Sequence, residues 1–202
     1  PSKAELARRI ASSLDKGIDG KNQRDTTVDA MIQDMLAEQG FADAGLMLDP
    51  AVQRGAELRA EARWEDMVFD HHLNALADAT AGQESFVSKF AFLSPYVAMR
   101  TLSAAFCGTD YYHHRHFTDR AEIWRKQFVD TLNSAFAKNA GEAGWSYKAG
   151  PDLWKKAPKF VYRSPRLSTV IDHQLLSIIS LMAWLGLSLG LAVWSTRRLR
   201  VV

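Results

Sequence analysis

The chain has 202 residues, 47% hydrophobic and 24% charged, with a formal net charge of +2. That balance belongs to a folded protein and excludes a disordered tail. Part of the charge lies in a C-terminal arginine cluster and no basic stripe runs elsewhere, so nucleic acid is not an expected partner. The one cysteine, Cys107, excludes an internal disulfide and reads as a small apolar residue near a helix end.

Residues 1–16 place Leu6, Ile10 and Leu14 at steps of four, one apolar face of a helix. Gly17 and Gly20 punctuate it, and KNQRDTT reads as a polar connector. A second helix is predicted from about Thr27 to Gln39, with Met31, Ile32, Met35 and Leu36 as its buried stripe and Gly40 as its C-terminal cap. FADAGLML is expected to be a loop. Asp49-Pro50 then pairs an N-cap carboxylate with a proline suited to the first helical turn. From there to about Phe92 nothing stops a long helix outright; Gly82 is the one place where it could kink or divide, and if continuous it would be about 60 Å long.

Ser94-Pro95 repeats the cap-and-proline signal before a short helix, Tyr96 to Phe106, that stops at Gly108. Thr109 and Asp110 are placed to cap another long helix, closed by Gly141 and Gly144. Residues 145–170 hold three prolines and no clear period, and read as an extended connector packed on the domain or lying at a bilayer surface. Trp145, Tyr147, Trp154, Phe160 and Tyr162, interleaved with lysines and Arg163, suit a headgroup layer. No strand alternation is visible before residue 158, so the fold class is all-α.

Leu175 to Trp194 contains no charge, proline, Asn or Gln. At about 1.5 Å per residue it reaches roughly 30 Å, the thickness of a bilayer's hydrocarbon core. Ser177, Ser180 and Ser188 do not make the polar stripe of a soluble core helix. Arg197, Arg198 and Arg200 follow it, and positive charge gathers on the cytoplasmic side of spans. The expected organisation is an extracytoplasmic helical bundle of long helices (1–144), the aromatic and basic connector (145–170), one transmembrane helix (171–196) and a cytoplasmic tail (197–202). Ala183, Gly186 and Gly190 form a groove of small side chains where another membrane helix could approach. The chain opens without an initiator Met, an apolar leader or a cleavage site. A body that crosses a membrane needs a leader or an earlier span, so a fragment preceded by at least one more membrane segment is expected.

YYHHRHF at 111–117 puts His113 and His116 on one side of a helix start, and His71 and His72 pair on the preceding helix. His113, His116 and His71 could ligate a metal if they converged. The alternative is that these imidazoles cap, hydrogen-bond or face solvent. HExxH, GxSxG and the Walker loop are all absent, so neither an enzyme nor a cofactor is expected.

FLSPYVAMRTLSAAFCGTDYYHHRHFTDRAEIWRKQFVDTLN, residues 92–133, resembles a group of ABC transporter permeases of the type-2 exporter class. In that group a large helical domain of unknown function lies outside the membrane before the last span. The resemblance is carried by Leu93-Ser94-Pro95, Gly108-Thr109-Asp110, His116-Phe117 and the later KFVYRSP. Cys107 and Tyr111-Tyr112 depart from the pattern. The resemblance implies a permease subunit in a bacterial inner membrane, a separate ATP-binding subunit, a second permease copy, export driven from the cytoplasm, and a body acting as gate, cap or docking surface for an extracytoplasmic partner. The competing expectation is a membrane-tethered metal-binding or sensory module with no transport role.

Overall fold

The structure is a computed structural model and describes residues 2–18, 24–38 and 49–198. Gly20, Gly40, the expected loop at 41–48 and Arg200 lie outside the described residues. Among the described residues every regular element is a helix: α1 (Lys3–Lys16), α2 (Arg24–Glu38), α3 (Pro50–Lys89), α4 (Pro95–Phe106), α5 (Tyr111–Asn139), α6 (Pro151–Lys156), α7 (Leu167–His173) and α8 (Leu175–Arg198). Short 3-10 turns cover Phe90–Phe92 and Gly141–Ser146. The chain divides into two compact units, Pro1–Leu76 with Ala121–Phe160, and Ala77–Arg120 with Val161–Val202.

In the first unit α1 and α2 cover the early turns of α3. Val28, Met35 and Leu36 of α2 meet Ala56, Ala60, Trp64 and Val68 of α3, and Ile10 and Leu14 of α1 pack against that cluster. Burial of side chains the size of Val68 contributes about 1.5–3 kcal/mol each. Trp64 is fully buried, and its indole N–H donates to the Leu14 carbonyl at 3.1 Å, so the ring fills the core without stranding its polar atom. Ser13 and His72 share a hydrogen bond of 2.9 Å. Partial burial first, then His71 and Arg9, holds His72 below its ordinary value of 6.5.

α3 and α5 run antiparallel in this unit, as their cross-links show. Arg59 pairs with Asp130 at 3.1 Å, Asp70 with Lys126 at 2.6 Å, and Asp66 with Arg125. Asn133 donates to the Leu58 carbonyl at 3.4 Å. Arg125 also grips Glu122 at 2.6 Å, which holds that carboxyl below its usual range and raises the guanidinium. Such partly exposed pairs contribute about 0–1 kcal/mol each, so they set register more than stability. The two helices approach closely at Gly55, where an added Cβ would stand 2.1 Å from the Cβ of Ala137 and 2.8 Å from its Cα. Only a glycine lets the two backbones come this near.

The caps fall largely where the sequence placed them. Asp49 accepts from the Ala51 N–H at 2.8 Å as α3 begins. Ser94 is the N-cap residue of α4 but makes no side-chain cap bond, and Pro95 at the first turn supplies the fixed backbone angle. Two expectations are corrected and one left open is decided. α2 starts at Arg24, so Arg24 to Thr27 are helical rather than connector, anchored by Arg24 on Glu61 at 2.6 Å. Of the two outcomes open for α3 the continuous one holds: it runs unbroken through Gly82, since one glycine costs a helix only about 1 kcal/mol. Residues 145–170 are not wholly extended: they contain the end of a 3-10 turn, α6 and the start of α7.

The rings of that segment rest on α5. Trp145 and Tyr147 contact Phe136, and Trp124 lies against Phe160 while donating its N–H to the Pro158 carbonyl at 2.8 Å.

Candidate functional site

The GTD stretch turns the chain from α4 into α5. Gly108 adopts φ +68°, a left-handed geometry that suits glycine. Its N–H donates to Ala105 O at 3.1 Å and the Thr109 N–H to Ala104 O at 2.9 Å, so two of the orphan carbonyls at the end of α4 are satisfied. Asp110 then caps α5 by accepting from the His113 N–H at 3.0 Å. One carboxylate oxygen also meets His113 Nδ1 at 2.5 Å, with both side chains nearly buried. The three motif residues are therefore a helix stop, a link and a helix start.

His116 and Phe117 lie about two turns beyond Asp110, and both meet Tyr162 of the YRSP stretch. His116 Nδ1 is 3.3 Å from the Tyr162 hydroxyl, and the Phe117 and Tyr162 rings stand edge to face at 5.1 Å. Cys107, Gly108, Asp110, His113, Phe117, Tyr162 and Ser164 are among the residues that line a cavity of about 450 Å³. Tyr112 faces the His173 ring at 4.3 Å, and the Tyr111 hydroxyl donates to the Ala77 carbonyl at 2.9 Å.

An imidazole held by a carboxylate can move a proton. Here Cys107, which lines the same cavity, is exposed and makes no hydrogen bond with His113 among the described residues. The expected metal ligands are divided: His71 stands exposed in the first unit, T-shaped against His72, while His113 and His116 belong to the second. Among the described residues no group of three His, Cys, Asp or Glu side chains is arranged to hold a metal ion.

α8 is the other feature of note. It is the one described helix long and apolar enough to cross a membrane, and little of it is buried. One face of its first turns is covered, with Gln174 just before it and Ser177 and Ser180 buried, and Ser177 donates to Gln174 at 3.2 Å. Met182, Leu185, Leu187, Leu189, Leu191 and Val193 are bare. Ala183, Gly186 and Gly190 are exposed too, with nothing within 4 Å of a Cβ built on either glycine. Arg197 and Arg198 close the helix, and the Arg198 guanidinium lies 4.2 Å over the Trp194 ring. α7 breaks off at Gln174, so residues 171–173 belong to α7 and the apolar helix begins at Leu175.

Sequence reasoning did not single out Tyr162 as the partner of His116, nor the bond from Trp184 to Phe92 at 3.0 Å. A hint of the second was available. A tryptophan midway along an apolar span, away from the interfacial belts, must find an acceptor for its N–H.

Together these features define an all-helical protein with one helix able to anchor in a membrane. The chain belongs to the family described as "Domain of unknown function (DUF3526)", which matches residues 9–163. No curated protein and no solved structure matches it.

Proposed function

We propose that this chain is the extracytoplasmic helical body and following span of the permease subunit of an ABC transporter, working in export from a bacterial inner membrane. Residues 1–170 lie outside the cytoplasm, α8 crosses the bilayer, and the tail from Arg197 returns to the cytoplasm. A separate ATP-binding subunit drives the cycle, and a second permease copy completes the pathway. The body acts as a gate, a cap over the exit or a docking surface for an extracytoplasmic protein.

One observation carries the reading. The lower part of α8 leaves its apolar side chains uncovered and ends in Arg197 and Arg198, as a span entering the cytoplasm would. The LSP, GTD, HF and YRSP residues support the link to the permease group, because the last three meet in one cluster and the first opens α4. The test is isolation of the membrane protein that contains this chain in mild detergent. Co-purification of an ATP-hydrolysing subunit in stoichiometric amount is expected. Recovery with no nucleotide-hydrolysing partner contradicts the transporter reading.

A further inference from the structure

We infer that the bend between α3 and α4 enters the lipid beside α8 as a hairpin whose tip, residues 90–96, reaches the middle of the bilayer. This rests on the reading that α8 spans the membrane, and it places a second part of the chain in lipid.

Depth comes from Trp184. It lies about 14 Å along the axis from Leu175, half of the roughly 30 Å hydrocarbon thickness. Its indole N–H donates to the Phe92 carbonyl at 3.0 Å. α8 packs along both α4 and the Phe90–Phe92 turn. Whatever surrounds Trp184 therefore surrounds the turn.

The turn is built for that setting. From Phe90 through Met99 there is no charged residue. Phe86, Val87, Phe90, Phe92, Leu93, Tyr96 and Met99 are exposed, with Leu93 at 72% and Tyr96 at 73%. A contiguous apolar surface of this kind marks an interaction site in an aqueous protein. α8 packs on this turn and leaves its own Met182 and Leu185 bare, so the occupant is the one that covers the span, the lipid.

Backbone pairing agrees. In hydrocarbon each N–H and C=O must be satisfied within the protein. The Leu93 and Ser94 N–H groups both donate to Phe90 O, at 3.0 and 3.2 Å, and Ala98 N–H donates to Ser94 O at 3.3 Å. Pro95 has no N–H to satisfy. The Phe92 carbonyl, left over by the turn, takes the Trp184 indole, and each meets the other's need without water. Ala98 and Ala105 of α4 and Ser177 and Ser180 of α8 are buried, small residues of the kind that let helices approach closely in membranes. Lys89 and Arg100 bound the uncharged stretch and are exposed, and their stems carry the charges part of the way toward the headgroups.

The test uses spin labels in a Cys107→Ser background, in vesicles of phosphatidylcholine and phosphatidylglycerol. Labels at Leu93→Cys and, independently, Tyr96→Cys are compared with Leu189→Cys on α8 and Lys138→Cys on α5. Collision with oxygen and exclusion of a water-soluble nickel chelate at 93 and 96, matching 189 and several-fold different from 138, is the expected result. Nickel access at 93 and 96 like that at 138, with 189 in lipid, overturns the hairpin and leaves the span intact. Low collision with both reagents at 93 and 96 means a protein covers the tip, which also overturns it. Nickel access at 189 removes the span and the hairpin with it.

Discussion

Replacing Gly55 by alanine sets two effects against each other. Alanine is favoured over glycine inside a helix by about 1 kcal/mol. The added methyl, however, lands on the Ala137 Cβ and within 2.8 Å of its Cα. These atoms have no rotamer to escape into, so α3 and α5 must separate locally, at the usual overpacking cost of about 1–3 kcal/mol. The clash wins, and Gly55→Ala should destabilise by roughly 1 kcal/mol net. Gly82 on the same helix has nothing within 4 Å of its Cβ position. Gly82→Ala should therefore stabilise by about 0.5–1 kcal/mol, propensity acting alone. Urea unfolding of the detergent-solubilised chain, followed by helical circular dichroism, measures both. Adding Ala137→Gly to Gly55→Ala removes the opposing methyl and should recover part of the loss, a coupling seen only between contacting residues. If Gly55→Ala stabilises as much as Gly82→Ala, the antiparallel contact of α3 on α5 is wrong.

Two further outcomes follow from single side chains. His72 is held below its ordinary value of 6.5, so above that pH it is neutral whether the chain is folded or not. As pH falls through 6.5 the unfolded chain takes up the proton first, and stability drops until the lower folded-state pKa is passed. His72→Gln should flatten part of that slope in unfolding measured across the range, and an unchanged slope would remove His72 from the account. Asp110→Ala should cost about 1 kcal/mol by uncapping α5, with Asp110→Asn costing less because its side-chain oxygen can still accept. Equal losses in thermal unfolding would mean that the charge facing His113, not the cap, is what matters.

Much of the fold was legible because helix ends announce themselves chemically. Asp49-Pro50 and Asp110 stand at helix starts because a carboxylate can accept from orphan N–H groups, and Gly108 at a stop because left-handed geometry suits glycine. The early start of α2 was not legible, since Arg24 to Thr27 are polar and their helicity leans on a distant Glu61. The break at Gln174 carries no glycine or proline, and its φ of −103° and ψ of 7° leave no mark in composition. At the site, the spacing of the histidines was readable but their partners were not. Tyr162 meets His116 across 46 positions and Trp184 meets Phe92 across 92, separations that no local pattern encodes.

The account depends on α8 crossing a membrane with its arginines inside and the helical body outside. Cys107 is exposed and is the sole cysteine of the chain, so it reports the side of the body directly. In intact cells a membrane-impermeant maleimide should label Cys107, whereas Thr196→Cys in a Cys107→Ser background should be labelled only after the membrane is opened. Labelling of residue 196 from outside, with Cys107 protected, would contradict the account.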